Sequence, residues 1–222
     1  MASGENIQSL LGEHKKQVLV MGEMVERALG LSIEALKKRD LNLGHQIIAD
    51  DAKINQRRFE IEKKAIELIA SQRPDTGDLN TIVAILNIII ELERIGDYAT
   101  GIAKIVIMIG DEPPLKPLID IPRMAEITIE MIHKSLKSFF DNDSQGAVQV
   151  IGMDEVVDNI YDQIFRELLT FMMTDPKTIN RATRLIWVAH NIERAADRAT
   201  NICERVVYTV TGKMEEIGAS KY

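Results

Sequence analysis

Acidic side chains recur in pairs four residues apart, a spacing that puts both carboxylates of a pair on one face of a helix. Three of these pairs are Glu93 with Asp97, Asp154 with Asp158, and Glu193 with Asp197. At a fourth place with this spacing, Asp51 is followed by Asn55. Carboxylates are hard oxygen ligands, suited to Mg²⁺, Ca²⁺, Mn²⁺ or iron ions. Because like charges at this spacing repel one another, we expect a cation to compensate them where the pairs meet.

The elements that carry these pairs are predicted to be helices. Six prolines divide the chain into long proline-free stretches, and aromatic residues make up only 5% of it. Apolar residues recur at steps of three and four, as in Ile82, Ile85 and Ile89, which favours packed helices over sheets. We predict an all-α protein with six long helices, near residues 5–38, 43–72, 77–110, 121–140, 146–174 and 177–212.

The sequence is internally duplicated. The segment Glu91–Val106 (ELERIGDYATGIAKIV) aligns with Asn191–Val206 (NIERAADRATNICERV), and seven of the 16 positions are identical. The identical residues include a polar Glu-Arg-x-x-Asp-x-Ala-Thr pattern, which unrelated amphipathic helices would not share. We therefore predict two tandem three-helix bundles, in residues 1–112 and 113–222, joined by a proline-rich connection.

Hairpin geometry predicts that the acidic pairs meet. If the second and third helices of each unit are antiparallel neighbours, residues equidistant from the turn lie side by side. Positions 51 and 97 are centred on residue 74, and so are 55 and 93, while 154 with 197 and 158 with 193 are centred on 175.5. The first centre is Pro74, and the second is the Asp175–Pro176 bond. We name the two predicted groups cluster 1 (Asp51, Glu93 and Asp97, with Asn55) and cluster 2 (Asp154, Asp158, Glu193 and Asp197).

Two interpretations of the clusters are open from the residues. In the first, the carboxylates bind metal ions. In the second, they belong to solvated helix surfaces and are neutralised by the nearby arginines, Arg57, Arg58, Arg94, Arg194 and Arg198. Duplication and mirror placement about both turns favour metal binding. Asn55 makes cluster 1 the weaker candidate, because an amide replaces a carboxylate there.

Charge, cysteine content, hydropathy and missing motifs exclude several classes of protein. A net charge of -7 disfavours nucleic acid as a partner. The single cysteine, Cys203, supports neither a disulfide nor a zinc cluster. The counterpart of His190 in the first repeat is Ile90, which favours a structural role for His190 over metal ligation. No apolar stretch is long enough to span a membrane and no secretory signal is present, so we expect a cytoplasmic protein, peripheral to the membrane at most. Motifs for a nucleophile or a nucleotide are absent, and we expect no enzyme.

The same residues resemble the signature of the PhoU family, the phosphate-transport accessory proteins. The resemblance rests on Asp78-Leu79, on ERIGD at 93–97 and ERAAD at 193–197, on the duplication, and on the EPPLKPL connection at 112–118. It covers nearly the whole chain. It implies a pair of three-helix bundles whose duplicated E(D)xxxD motif carries multinuclear clusters of iron or other metals.

Transferred residue by residue, the resemblance implies metal ligands at Asp51, Glu93, Asp97, Asp154, Asp158, Glu193 and Asp197. The ions would be divalent or trivalent, such as iron, manganese or magnesium. The resemblance further implies a cytoplasmic negative regulator of the phosphate-starvation response. Such a regulator links the ATPase of the phosphate ABC transporter to a phosphate-sensing histidine kinase, and it commonly forms a homodimer.

Two other functions are compatible with acidic clusters on helices. One is a carboxylate-bridged metalloenzyme, an oxidase or a metallohydrolase, which needs an open coordination position inside a pocket. The other is a ferritin-like metal-storage bundle, which predicts a very large assembly. A regulatory adaptor requires no chemistry and is the function we expect.

Overall fold

The computed structural model describes residues 2–212, with side chains from residue 7 onward. Over this range the chain forms a short 3-10 turn, Pro176–Thr178, and seven α-helices: α1 (Ala2–Lys38), α2 (Leu41–Gln72), α3 (Thr76–Ile109), α4 (Asp120–Asp141), α5 (Ser144–Ile151), α6 (Asp154–Thr174) and α7 (Ile179–Thr211). The described residues contain no strand, so the all-α prediction is confirmed. The outer ends of the two predicted domains, residue 1 and residues 213–222, lie outside the described range. Within it, no helix is both long enough and apolar enough to cross a membrane.

The predicted fifth helix is wrong in one respect, because the chain forms two helices there, α5 and α6. The backbone tightens between them: the N–H of Gly152 donates to Val148 O over 3.3 Å, and the N–H of Met153 donates to Val150 O over 2.9 Å. The second bond spans three residues, as in a 3-10 turn, and glycine is a poor helix former. As a result α6 begins at Asp154, whose carboxylate lies at the positive end of the helix dipole.

Short turns close both hairpins at the predicted places. Arg73 follows the last residue of α2 and adopts the left-handed conformation with φ of 47°. Asp75 then caps α3 by accepting the N–H of Asp78 over 2.9 Å. In the second hairpin, Asp175 accepts the N–H of Lys177 over 3.0 Å. Because so few residues separate the helices, α3 runs antiparallel to α2 and α7 runs antiparallel to α6.

The centre of the molecule is formed by α3 and α7, which pack against each other. α1 packs on α2 and α3, α4 packs on α6 and α7, and α1 also contacts α4. The contact between α1 and α4 is close at Gly22, where a Cβ atom would lie 2.1 Å from Leu136 Cδ1. One apolar core includes Leu92 of α3 and Ile192 of α7, so the two units stabilise each other.

Polar contacts fix the antiparallel register of α3 and α7. Arg198 Nη1 donates to Glu91 Oε2 over 3.3 Å, and Asn201 Nδ2 donates to the same oxygen over 3.2 Å. Nearer the other end, Tyr208 Oη donates to Asn80 Oδ1 over 3.2 Å. The side chains of Arg198 and Glu91 are only 14% and 15% exposed, so water screens this ion pair less than it screens a surface pair.

Candidate metal centre

The α2–α3 hairpin brings the two halves of cluster 1 together. The hydroxyl of Thr100 on α3 donates to Asp51 Oδ1 on α2 over 3.2 Å. The helices approach closely because α3 has a glycine, Gly96, opposite Ile54. A Cβ atom at Gly96 would lie only 3.2 Å from Ile54 Cδ1. This approach places the face of α2 that carries Asp51 beside the acidic face of α3.

Cluster 1 is partly satisfied by the chain itself. Asn55 Nδ2 donates to Asp51 Oδ2 over 3.0 Å, so both carboxylate oxygens of Asp51 accept hydrogen bonds. Burial raises the pKa of Glu93, and the charge of Asp97 adds to the effect. Burial also raises the pKa of Asp97, with the charge of Asp51 as the next cause. The three carboxyl groups therefore lie close enough to influence one another.

The α6–α7 hairpin gathers the four carboxyl groups of cluster 2. Burial raises the pKa of Asp154 to about 7, and the charges of Asp158, Asp197 and Glu193 contribute further. Burial likewise raises the pKa of Glu193 to about 7, followed by the charges of Asp197 and Asp158. The pKa of Asp197 is also raised, again chiefly by burial. Near neutral pH, cluster 2 therefore favours bound protons or a bound cation.

Two carboxyl oxygens of cluster 2 have no hydrogen-bond partner. Both Asp154 Oδ1 and Glu193 Oε2 are buried and accept no hydrogen bond. His190 Nδ1 lies 3.1 Å from Glu193 Oε2, and the two form an ion pair when the ring is protonated. Burial lowers the pKa of His190, which favours the neutral ring. Because an unpaired buried polar group costs about 1–3 kcal/mol, these oxygens favour an added ligand.

The nearby arginines neutralise part of the negative charge of cluster 2. Arg194 Nε lies 3.9 Å from Asp197 Oδ2, and the charges of Arg194 and Arg198 both act to lower the pKa of Asp197. Four of the arginines pair with glutamates outside the clusters: Arg57 with Glu60, Arg58 with Glu62, and Arg94 and Arg198 with Glu91. The interpretation as neutralised helix surface therefore accounts for part of cluster 2, but it does not explain the buried oxygens of Asp154 and Glu193 that accept no hydrogen bond.

The donor chemistry of cluster 2 fits a hard cation. In the part of the chain that the structure describes, no three His, Cys, Asp or Glu side chains are already arranged to hold one metal ion. The carboxylate arms would therefore have to rotate inward around a cation. Cys203 is buried, and burial raises its pKa to about 12, so its thiol stays protonated. Four carboxylates without a thiolate are suited to Mg²⁺, Mn²⁺, Ca²⁺ or iron.

An open pocket of about 330 Å³ lies beside cluster 2. Its lining residues are Asp158, Tyr161, Asp162, Phe165, His190 and Glu193. The ring of Tyr161 lies 6.3 Å from that of Phe165 and 6.2 Å from that of His190, between ring centres. The pocket gives two of the cluster carboxylates, those of Asp158 and Glu193, a path to solvent.

Sequence reasoning placed the seven acidic residues but missed some of their partners. Thr100 belongs to the duplicated pattern, so a signal for it was present in the sequence. Its counterpart Thr200 donates instead to the backbone oxygen of Asp197 over 2.7 Å, so the duplication alone could not predict the contact of Thr100. Glu91 joins α3 to α7, and no spacing within one helix indicates a contact of that kind.

Known proteins share both the sequence and the fold. The family model of the PhoU domain matches residues 18–106 and 121–206. One relative is the phosphate-specific transport system accessory protein PhoU homolog of Aquifex aeolicus (strain VF5), which is 40% identical over 204 residues, or 92% of each chain. The two matched ranges of the family model lie on either side of the predicted domain boundary.

Two crystal structures have a similar fold. The phosphate transport system regulatory protein PhoU from Streptococcus pneumoniae gives a TM-score of 0.88 at 28% identity, over 95% of this chain and 99% of that one. PhoU from Pseudomonas aeruginosa gives a TM-score of 0.87 at 32% identity, over 93% of this chain and 99% of that one. The names of these relatives describe accessory or regulatory proteins, which confirms the expectation that the chain is not an enzyme.

Proposed function

This chain belongs to the PhoU family, and from that premise we propose that it controls phosphate uptake as a negative regulator of the phosphate-starvation response. The observation that carries the proposal is the match of both repeat units to the PhoU domain. A relative that aligns with 92% of the chain is an accessory protein of phosphate transport. A role in the regulation of phosphate transport follows from that kinship.

The regulator acts as an adaptor in the cytoplasm, between the ATPase of the phosphate ABC transporter and a phosphate-sensing histidine kinase. Exposed apolar side chains on both hairpins support this role. Phe59 and Ile66 on α2 are each 56% exposed, Trp187 on α7 is 49% exposed and Met173 on α6 is 85% exposed. Phe59 and Ile66 are seven residues apart, which places them on one face of α2. Exposed apolar surface is available for contacts with partner proteins, and these contacts include those of a homodimer. Long packed helices hold the two surfaces in a fixed relation.

Carboxylate-bound cations take part in this function. Asp154 and Asp158 on α6, with Glu193 and Asp197 on α7, would hold an ion such as iron, manganese or magnesium and so tie the two helices together. When bound, the ion supplies the positive charge that offsets carboxylate repulsion. If the arrangement of α6 and α7 that binds the partner proteins also binds the ion more tightly than other arrangements do, the ion shifts the adaptor toward that arrangement.

The proposal is tested with an alkaline-phosphatase reporter in phosphate-rich medium, in the source organism or a close relative. Deletion of the gene should raise reporter activity, and restoration of the wild-type gene should silence it. A restored copy with an early stop codon is the control, because it keeps the DNA but makes no protein. Reporter activity that is unchanged by the deletion would contradict the assignment as a negative regulator.

A further inference from the structure

We propose that a narrow apolar slot beside the proline-rich connection docks an acidic segment of a partner protein, which inserts one aliphatic side chain and places its carboxylates on two arginines. We name it the connection slot, and its aliphatic lining residues are Leu36 of α1, Ile109 of α3, Leu115 and Leu118 of the connection, and Leu185 of α7. Its charged lining residues are Arg39 and Arg181. The inference rests on the proposed adaptor function, for which it names a docking surface, and none of the lining residues belongs to an acidic cluster.

The connection that forms one wall of the slot is held in place by the slot arginines. Arg39 Nη1 donates to the backbone oxygen of Asp111 over 3.4 Å, and Arg181 Nη1 donates to the backbone oxygen of Pro113, also over 3.4 Å. Pro113 and Pro114 both line the slot, and their rings restrict the backbone of the wall. Because the slot is already formed, binding of a ligand requires little ordering of the protein.

The internal repeat shows why the slot is open. The two matched ranges of the PhoU domain begin at residues 18 and 121, an offset of 103 residues. At this offset, three slot residues have counterparts elsewhere in the chain: Leu36 corresponds to Phe139, Arg39 to Asn142, and Leu118 to Lys15. Arg39 and Asn142 both adopt the left-handed conformation, with φ of 56° and 55°, so the two places have the same backbone form.

The chain fills the counterpart of the slot with its own side chain. Lys15 Nζ donates to the backbone oxygen of Phe139 over 3.2 Å and to Asn142 Oδ1 over 2.6 Å. In the slot, the shorter side chain of Leu118 takes the place of Lys15, and about 30 Å³ stays open. One of two repeat-related positions is therefore closed, and the other is available to a ligand.

The size of the slot selects the kind of side chain that enters it. The open space is about 30 Å³, and one water-sized group needs about 10–15 Å³. Roughly two or three methyl-sized groups therefore fit, which corresponds to the branched end of a leucine, isoleucine or valine side chain and is too little for an aromatic ring. Leu36 and Leu185 are buried parts of the main apolar core, so an inserted side chain would contact the edge of that core.

The charge around the slot favours an acidic ligand. The hydrogen bonds to the connection use one N–H of each slot arginine, and a guanidinium group carries five N–H donors, in a fork that matches a carboxylate. Lys37, in the last turn of α1, adds a positive charge close to Arg39. Glu112 of the connection is paired with Arg184 at 3.0 Å. On a chain with a net charge of -7, this basic surface favours a partner segment of opposite sign.

Titration with a short acidic peptide tests the proposal. The full chain, labelled with ¹³C in its leucine methyl groups, is titrated with the peptide Glu-Asp-Leu-Glu-Asp, blocked at both ends, and binding is followed by NMR. The methyl signals of Leu115 and Leu118 should shift and reach saturation. Replacing the leucine of the peptide by alanine should weaken binding by about fivefold or more, because the slot loses its aliphatic group.

Substitution of the slot arginines tests the charged part of the contact. Arg39→Gln with Arg181→Gln should weaken binding of the peptide by about tenfold or more. The matched control, Lys63→Gln with Lys64→Gln, removes the same charge from α2 at roughly 30 Å from the start of that helix, and it should leave the affinity within about twofold. Thermal unfolding checks that each variant is folded, and Arg181→Gln alone, with an expected loss of about threefold, replaces a double variant that does not fold.

Four results would overturn the proposal. They are the absence of methyl shifts at Leu115 and Leu118, equal affinity for the leucine and alanine peptides, equal effects of the slot and control substitutions, and binding of phosphatidylglycerol vesicles in place of the peptide, which would make the basic surface a membrane contact. Silencing of the reporter by the wild-type gene is measured separately, so failure of this proposal is distinguishable from failure of the proposed function.

Discussion

Replacing Asp154 by asparagine should stabilise the metal-free protein at alkaline pH. Burial and three neighbouring carboxylates raise the pKa of Asp154 from its ordinary value of 3.8 to about 7. Between these two pKa values the folded state holds a proton on Asp154 that the unfolded state releases. The stability of the metal-free wild type therefore falls as the pH rises toward and through about 7. Asparagine keeps the size of the side chain and removes the charge, so this loss of stability should disappear.

The size of the effect follows from the pKa of Asp154. A rise from 3.8 to about 7 corresponds to about 4 kcal/mol of unfolding free energy. Because Asp154 keeps part of its contact with water, screening reduces the measurable effect to about 2 kcal/mol. The lost attraction to the N-terminus of α6 offsets about 0.5 kcal/mol of this. For a chain of this length, a gain of about 1–2 kcal/mol raises Tm by roughly 2–8 °C.

The assay is thermal unfolding in EDTA at about pH 5 and about pH 8, on either side of the raised pKa. We expect Asp154→Asn to raise Tm at the higher pH and to raise it by less at the lower pH, because the loss of stability in the wild type is only partly developed there. Asp51→Asn is the matched control at the repeat-related position, where both oxygens already accept hydrogen bonds. That control should lower Tm at both pH values. A loss of stability in Asp154→Asn at the higher pH, or an equal change at both, would refute the reasoning.

Two further predictions concern the packing of the two units. Gly22→Ala should reduce the unfolding free energy by about 1–3 kcal/mol in urea titrations, because its Cβ atom would overlap a buried leucine of α4 at 2.1 Å. Gly12→Ala is the control: no atom lies within 4 Å of its Cβ position, so this substitution should increase the unfolding free energy by about 0.5–1 kcal/mol. Equal effects of the two substitutions would contradict the close contact of α1 with α4. Glu91→Gln should reduce the unfolding free energy by about 1–3 kcal/mol, because Arg198 keeps its charge with only 14% of its side chain exposed. Glu34→Gln, which removes one member of an exposed ion pair, should reduce the unfolding free energy by less than about 1 kcal/mol.

The positions of the acidic residues could be predicted from the sequence because they depend on two simple regularities. An i, i+4 spacing puts both members of a pair on one helix face, and a short hairpin turn brings mirror-related positions together. Turns at Pro74 and at the Asp175–Pro176 bond were enough to predict which faces meet. The hydrogen bond from Thr100 to Asp51 is direct evidence of that register in the first hairpin.

The differences between the clusters could not be predicted in the same way. The break at Gly152 depends on backbone hydrogen bonds that compete with a continuous helix, and it sets Asp154 at the start of α6. The two hydrogen bonds to Asp51 depend on rotamers, which a sequence pattern does not specify. The pairing of Arg198 with Glu91 crosses from one unit to the other, so it follows from the packing of α3 on α7.

Binding of a cation by cluster 2 is tested most directly by anomalous X-ray diffraction from crystals of the full chain grown with Mn²⁺. Manganese scatters anomalously, so the measurement locates the ion itself. We predict an anomalous peak between α6 and α7, within coordination distance of oxygens from Asp154, Asp158, Glu193 and Asp197, that is lost in crystals of Asp158→Asn. An anomalous peak at cluster 1 alone, or no peak at either cluster, would contradict the assignment.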